Sequence, residues 1–336
     1  MKKIFDKCKF GNFDIQSRII RSGMWESQKS ENGILDQAVF NRYEKIVKSG
    51  VWLINSEFFC IDSRDRFAKY SSNVNYKGFV KDYNEITNIA HKYNVPILGQ
   101  LAIFWYNDGL NQKVTPNDIS FEGIRRFQTD VILAAKKFEF AGFDGIQINM
   151  GNNFYLSNFI NPYFNQREDK YGGKTFNRMR IVLEIVRVIK KNYDIHVNVK
   201  LNANDGRKGG IGFDESMEMC KLLEEYGADS IQLTSRSNTF PTSDGSNPFI
   251  DYADKLSGDT NIPIILGGRF NDKDNIENVL NTTNIEYISM SKPFVAEPDF
   301  LVNWKAGTSS ETKCINCKNC YSKKVSTCFV NGTDNV

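Results

Sequence analysis

The stretch Gly142-Phe-Asp-Gly-Ile-Gln-Ile-Asn-Met-Gly151 decides the fold of this chain. Apolar residues alternate along it from Gly145 to Asn149, which is typical of a β-strand, and the run ends in amide side chains. A loop, Arg167-Glu-Asp-Lys-Tyr-Gly-Gly173, and a helical pattern from Asn177 follow. In (β/α)8 barrels the functional side chains lie at the carboxyl ends of the strands. We therefore interpret the stretch as a barrel strand with a site at its end.

Seven other apolar runs, separated by amphipathic helical patterns, accompany this strand, at residues 19–20, 51–54, 95–98, 196–199, 230–233, 262–266 and 287–290. Eight βα units predict an α/β fold, a (β/α)8 TIM barrel, over residues 1–306. A doubly wound open sheet is the alternative, but its usual Gly-x-Gly-x-x-Gly turn is absent after the first strand. Residues 1–17 predict a short N-terminal hairpin that closes the bottom of the barrel. Residues 307–336 are expected to form a small cysteine-containing C-terminal tail.

The composition limits the classes of partner. The net charge is +3, and no basic cluster is interleaved with aromatic residues, so we expect no nucleic-acid partner. No apolar run approaches the roughly 20 residues of a membrane span, and the N-terminus lacks a secretory signal. We therefore expect a cytoplasmic protein with a small-molecule partner and no membrane partner, and a homo-oligomer is left open. Seven cysteines in such a chain indicate thiols or metal ligands rather than disulfides.

Two strand ends predict a phosphate site. Small residues at the end of strand seven let backbone N–H groups approach an anion, and the end of strand eight supplies a cation. The predicted residues are Gly267, Gly268, Arg269, Ser291 and Lys292. The alternative is a simple tight turn beside a surface lysine.

These features together resemble the Old Yellow Enzyme family of FMN-dependent ene-reductases, from about Phe5 to Asn331. The resemblance implies FMN as cofactor, NADH or NADPH as co-substrate, and flavin contacts from Gln100 and Lys200. An amide can donate to and accept from the pyrimidine edge of the flavin, and a cation beside it would stabilise the reduced form. The run Arg21-Ser-Gly-Met-Trp-Glu26 matches flavin contacts through Ser22, Gly23 and Met24, with Met24 or Trp25 in place of a flavin-tuning Thr or Cys.

The resemblance also implies the catalytic residues. The family usually has His-x-x-His or His-x-x-Asn where this chain has Asn149 and Asn152, whose amides could hold a carbonyl oxygen. The alternative is that they cap the strand. The family's proton-donating Tyr is replaced by Phe154, so Tyr155 is the remaining candidate, whereas Tyr171 and the two histidines, His91 and His196, are expected to be structural.

The implied activity is hydride transfer from NAD(P)H to flavin N5 and on to a small acceptor, expected to be an α,β-unsaturated carbonyl compound. A flavin-binding electron carrier, or a degenerate barrel without ene-reductase activity, is the alternative, because the usual His and Tyr are replaced.

Four cysteines follow the last barrel helix as Cys314-x-x-Cys317-x-x-Cys320-x7-Cys328. Thiolates at such short spacing suit zinc or an iron–sulfur cluster. The tail resembles that of the 2,4-dienoyl-CoA reductases and trimethylamine dehydrogenase, which implies a 4Fe-4S cluster. Zinc and unliganded thiols stay open as alternatives. Cys8, Cys60 and Cys220 are expected to be ordinary buried thiols.

Overall fold

The computed structural model describes residues 1–24, 35–62, 72–107, 113–234, 247–317, 319–321 and 328. Trp25, Glu26 and Asn331, which the sequence analysis includes in the family resemblance, lie outside the described residues.

Thirteen strands lie in this part of the chain: β1 (Cys8–Phe10), β2 (Phe13–Ile15), β3 (Ile19–Arg21), β4 (Ile54–Cys60), β5 (Ser72–Asn73), β6 (Ile97–Leu101), β7 (Tyr106–Asn107), β8 (Lys113–Val114), β9 (Gly145–Met150), β10 (His196–Asn202), β11 (Ser230–Thr234), β12 (Ile264–Gly267) and β13 (Tyr287–Met290). The α-helices of the same residues are α1 (Gln37–Lys48), α2 (Phe79–Lys92), α3 (Phe121–Phe140), α4 (Tyr155–Ile160), α5 (Thr175–Asn192), α6 (Phe213–Glu225), α7 (Ile250–Asp259), α8 (Lys273–Thr282), α9 (Lys292–Ala296) and α10 (Phe300–Ala306). None of them is both long and apolar enough to span a bilayer.

Eight parallel strands close into a barrel in the order β3-β13-β12-β11-β10-β9-β6-β4. Closure comes from the pairing of Arg21 in β3 with Ile54 in β4. The helices cover the outside of this sheet with apolar stripes; the stripe of α5, for example, buries Ile181, Ile185 and Ile189. The predicted (β/α)8 barrel is confirmed, and the closed sheet rules out the doubly wound alternative.

Strand two differs from its prediction. The apolar run at residues 51–54 predicts a strand there, whereas β4 begins at Ile54 and continues to Cys60. Its first half contains Asn55, Ser56 and Glu57, all of which are fully buried. The prediction was wrong because it followed apolar residues, whereas this strand turns polar side chains into the protein interior.

The N-terminal hairpin, β1 with β2, packs against the amino-terminal ends of the barrel strands, as predicted. The ring of Phe10 stacks on His196 at a centroid distance of 5.3 Å and meets Tyr287 edge-on at 5.0 Å. His196 Nε2 lies 2.7 Å from Ser230 Oγ. Burial lowers the pKa of His196 to about 4, so the side chain is neutral and structural at neutral pH.

The chain after α10 runs back along the loop that follows β12. Gly307 ends the helix in the left-handed conformation, at φ 72°. Lys273 N then donates to Ser310 O, Thr312 N donates to Asn271 O, and Asn271 Nδ2 donates to Cys314 O, each at 2.8 Å. These bonds hold the start of the cysteine segment beside the carboxyl end of strand seven. The division of the chain at residue 306 stays a prediction.

Candidate active site

Gln100 and Asn149 meet at the carboxyl ends of β6 and β9. Asn149 Nδ2 donates to Gln100 Oε1 at 2.9 Å, and both side chains are buried. The backbone N–H of Gly151 donates to Asn149 Oδ1 at 2.9 Å, while Gln100 N donates to Ser56 Oγ at 3.2 Å. Asn149 therefore caps its own strand, as the alternative reading proposed, and it also orients the Gln100 amide. The two predicted site residues form one unit.

The turn after β9 is pinned from the neighbouring strand. Asn152 and Asn153 have positive φ angles of 55° and 62°, a conformation that asparagine adopts more readily than most residues. Asn152 N donates to Asn202 Oδ1 at 3.2 Å, and Asn202 Nδ2 donates to Asp205 Oδ1 at 3.1 Å. Asp205 also accepts from Ile211 N at 3.2 Å and from the amide of Asn161. The Asp205 carboxylate thus holds two loops at the carboxyl end of the barrel in place. No pattern in the sequence indicates this role.

The aromatic pair Phe154 and Tyr155 divides between two environments. Phe154 meets Phe58 and Phe104 edge-on, at centroid distances of 5.7 and 6.1 Å. The Tyr155 ring packs instead against Phe127, at 5.3 Å, in the main hydrophobic core under α3. The packing of Tyr155 gives no support to its predicted catalytic role, which stays a prediction.

Lys200 stands on β10 directly beside Asn149 of β9 in the strand register. Its side chain is buried, and its Nζ donates to Ser22 Oγ at 3.3 Å. Burial lowers the pKa of Lys200 to about 8 from the ordinary value of 10.5. A buried ammonium held by a neutral hydroxyl is costly on its own and favours a site that receives an anionic or strongly polar ligand.

Gly23 allows the segment after β3 to approach Gln100 closely. A Cβ atom at this position would lie 1.8 Å from Gln100 Nε2 and 2.4 Å from the Ser56 carbonyl oxygen. Any side chain here would displace the amide. Met24 follows and is buried. The structure thus brings together Ser22, Gly23, Gln100, Asn149 and Lys200. Their role in binding a cofactor stays a prediction.

The turn after β12 has a clamp that the sequence analysis missed. The buried side chain of Asn247 donates from Nδ2 to the carbonyl oxygens of Gly267 and Gly268, at 3.0 and 2.9 Å. The chain has no cis peptide among its described residues, so the N–H groups of Gly268 and Arg269 point away from Asn247. Gly268 and Arg269 have positive φ angles, 103° and 58°. A turn that presents adjacent N–H groups in one direction suits a phosphate.

Lys292, at the start of α9 after Ser291, faces the cysteine segment. Its Nζ donates to Asn316 Oδ1 at 3.3 Å. It also lines a cavity of about 10 Å³, the size of about one water molecule, together with Ala296, Cys314, Ile315, Cys317, Cys320 and Cys328. The structure therefore places this lysine beside the four cysteines, a position that the strand-end spacing did not reveal.

The four tail cysteines line one cavity, but their side chains are not arranged as a metal-coordination site. Among the described residues, no three His, Cys, Asp or Glu side chains are arranged as a metal site. Burial raises the pKa values of Cys314 and Cys320, and the charge of Lys292 acts in the opposite direction on both. The donor set fits a thiophilic metal in chemical type, because thiolates at these spacings are zinc and iron–sulfur ligands.

Comparison with known proteins identifies the family of the chain. The profile of the NADH:flavin oxidoreductase / NADH oxidase family matches residues 102–311. The chain is 25% identical to an NADH oxidase of Thermoanaerobacter brockii, covering 94% of this chain and 52% of that protein. It is 28% identical to a 4,4'-dithiodibutanoate disulfide reductase of Rhodococcus erythropolis, over 54% of each. The chain thus spans about half the length of these relatives.

Solved structures show the same fold. A 2-naphthoyl-CoA reductase superposes with a TM-score of 0.82 at 18% identity, covering 91% of this chain and 52% of that one. An Old Yellow Enzyme homologue from Zymomonas mobilis superposes with a TM-score of 0.77 at 20% identity, over 94% of this chain and 96% of that one. The family profile, which covers more than half of the chain, and the shared barrel lead to one conclusion: the chain belongs to the NADH:flavin oxidoreductase / NADH oxidase family, that of Old Yellow Enzyme.

Proposed function

We propose that this protein is an FMN-dependent NAD(P)H oxidoreductase that reduces a small-molecule acceptor. The observation that carries the proposal is the place of Lys200: its buried ammonium lies beside Asn149 in the strand register and donates to the neutral Ser22 hydroxyl, and burial lowers its pKa to about 8. Such a cation is stable in the interior when a ligand with matching negative or polar groups lies against it. FMN, when bound, would supply the two-electron chemistry at N5 that links NADH or NADPH to the acceptor.

The surrounding residues have complementary tasks in this proposal. Gln100, held by Asn149 and Ser56, presents an amide that can both donate and accept along the edge of a flat heterocycle. Gly23 leaves room for that amide, and Ser22 supports the lysine. Backbone N–H groups of Gly268 and Arg269 would bind the phosphate, with Ser291 and Lys292 at the neighbouring strand end.

We propose an α,β-unsaturated carbonyl compound as the acceptor, bound through Asn149 and Asn152. Asn149 keeps one Nδ2 hydrogen beyond the bond to Gln100, and the Asn152 amide would be the second donor. An electron carrier without ene-reductase activity is the second candidate. This candidate is favoured by Phe154, whose ring has no acidic proton to donate and packs against Phe58 and Phe104.

The first test is the absorbance spectrum of anaerobically purified protein, before and after addition of NADH or NADPH. We expect flavin bands that bleach with one of the nicotinamides and recover when an enone is added. Bleaching with recovery only by a quinone would keep the oxidoreductase and reject the enone acceptor, whereas FMN-containing protein that neither nicotinamide bleaches would favour the electron carrier. The absence of flavin bands, even after FMN is supplied, would refute the proposal.

We also propose that Cys314, Cys317, Cys320 and Cys328 bind a metal centre, either a 4Fe-4S cluster or zinc. The support is their common cavity beside Lys292. Iron, zinc and acid-labile sulfide should be measured in the wild type, in Cys317→Ser, and in Cys220→Ser as a control outside the tail. Equal metal content in all three would contradict the assignment and favour free thiols.

Location and assembly stay predictions: a cytoplasmic protein without nucleic-acid or membrane partners, with a homo-oligomer possible. Fractionation and sedimentation would test them.

A further inference from the structure

The buried amide of Gln232 joins four barrel strands. Gln232 lies on β11, and its Nε2 donates to Ser22 Oγ at 2.8 Å and to Ser289 Oγ at 3.0 Å. Its Oε1 accepts from Asn55 Nδ2 at 3.2 Å and from Gln147 Nε2 at 2.8 Å. Asn55 lies on β4, Gln147 on β9 and Ser289 on β13, and Ser22 directly follows β3. The two donor and two acceptor positions of this amide are therefore all used.

The bonds fix the direction of the Ser22 hydroxyl. Two amide nitrogens occupy the Oε1 side of Gln232, so its Nε2 side faces Ser22, and the Ser22 oxygen must accept. The same oxygen accepts from Lys200 Nζ at 3.3 Å. A hydroxyl has two acceptor positions and one donor hydrogen. With both acceptor positions occupied, the Ser22 hydrogen points away from Gln232 and Lys200.

Lys200 itself needs a fixed partner. A lysine side chain is a flexible four-carbon stem, and burial removes the water that would otherwise hold its ammonium. Ser22 is the partner observed for Nζ, and Ser22 is held in turn by the shorter bond from Gln232. Gln232 therefore acts on the Lys200 ammonium only indirectly, through Ser22.

We propose that Gln232 is a positioning residue for the cofactor site. It fixes the Ser22 oxygen as the acceptor for Lys200 and directs the Ser22 hydroxyl hydrogen toward the bound ligand. This inference rests on the proposed FMN site, because the ligand in question is the flavin ring.

The test compares Gln232→Met with Asn198→Leu. Methionine has nearly the shape of glutamine but no donor. Asn198 belongs to the same buried polar layer, accepting from Gln147 Nε2 at 2.6 Å and donating to Ser230 Oγ at 2.7 Å, yet it does not contact Ser22. Urea unfolding of the FMN-free proteins reports stability, while FMN titration and the midpoint potential of the bound flavin report the site.

We expect Gln232→Met to raise the Kd for FMN about tenfold, the effect of a lost hydrogen bond with its positioning. If the reduced cofactor loses about tenfold more affinity than the oxidised form, the midpoint potential falls by about 30 mV. Asn198→Leu should lower stability and leave both site readouts close to wild type. In a Ser22→Ala background the effect of Gln232→Met on Kd should largely disappear, because the two residues act through one contact.

Each other outcome overturns the inference. Equal effects of Gln232→Met and Asn198→Leu on Kd and potential would show a general loss of packing. Additive effects of Gln232→Met and Ser22→Ala would show that Gln232 does not act through Ser22. If wild-type protein binds no FMN, the proposed function fails together with the inference, whereas normal wild-type binding with an unaffected Gln232→Met fails the inference alone.

Should Gln232→Met not fold, Gln232→Glu replaces it. The carboxylate accepts the Ser22 hydrogen and reverses that bond, so we expect a lower midpoint potential. An unchanged potential would overturn the inference.

Discussion

Replacing Lys200 with methionine should stabilise the FMN-free protein while weakening FMN binding. The substitution keeps the length of the side chain and removes the buried ammonium. The pKa of Lys200 is lowered by burial from 10.5 to about 8. At 1.36 kcal/mol per pKa unit, the charged form costs the native state about 3 kcal/mol at neutral pH. Loss of the Ser22 bond offsets about 1 kcal/mol, so we expect a net gain of about 2 kcal/mol.

The sign of the pH dependence gives a second measurement on the same protein. Because the folded-state pKa lies below the unfolded value, the unfolded chain binds more protons between about pH 8 and pH 10.5. The stability of the FMN-free wild type should therefore rise across this window, and that of Lys200→Met should lack this rise. Urea unfolding at the two ends of the window measures both curves.

Lys190→Met is the matched control. Lys190 Nζ forms an ion pair with Asp229 at 2.8 Å, so its removal should bring no gain in stability. FMN titration completes the experiment: Lys200→Met should bind FMN at least about tenfold more weakly, the loss of one charged contact. Lower stability of FMN-free Lys200→Met than of wild type at neutral pH, or equal binding of FMN by the two proteins, would refute this prediction.

Three further predictions concern single contacts. Gly23→Ala should weaken FMN binding and cost about 1–3 kcal/mol of unfolding free energy, because the new Cβ would displace the Gln100 amide; unchanged binding in a titration would contradict the close approach. Asn247→Leu frees the carbonyl oxygens of Gly267 and Gly268, so we expect about tenfold weaker binding of FMN but not of riboflavin, which lacks the phosphate. Equal losses for both ligands would argue against a phosphate turn. Burial lowers the pKa of His196 to about 4, so wild-type stability should fall by up to about 3 kcal/mol as the pH drops from 6.5 through 4. His196→Gln should lose this pH dependence in urea unfolding. Identical pH profiles of the two proteins would contradict the prediction.

The sequence predicted the barrel well because strand order follows directly from alternating apolar runs and helical patterns. It placed Gln100, Asn149 and Lys200 together because parallel strands end at the same rim. It misplaced strand two, whose buried half is polar. The sequence did not indicate Gln232 or Asn247. A single amide in a buried strand or before a helix has no periodic pattern, and its role follows only from the hydrogen bonds that the structure shows.

Lys292 illustrates a different limit. Its place after strand eight follows from the sequence, but the direction of its long side chain depends on the segment that folds back against it. Contacts between residues distant along the chain decide such orientations, and spacing alone carries no information about them.

The interior of the barrel is polar where Asn55, Gln147, Asn198 and Gln232 meet, whereas the main hydrophobic cluster lies between the strands and the helices. The apolar layer between strands and helices therefore supplies most of the stability, whereas the polar layer inside the barrel lies next to the proposed ligand site. A truncation in the outer layer, such as Ile185→Ala, should cost about 2–5 kcal/mol without altering the ligand site. Exchanges at Gln232, the inner amide that contacts Ser22, can therefore change what the site binds while the outer layer maintains the fold.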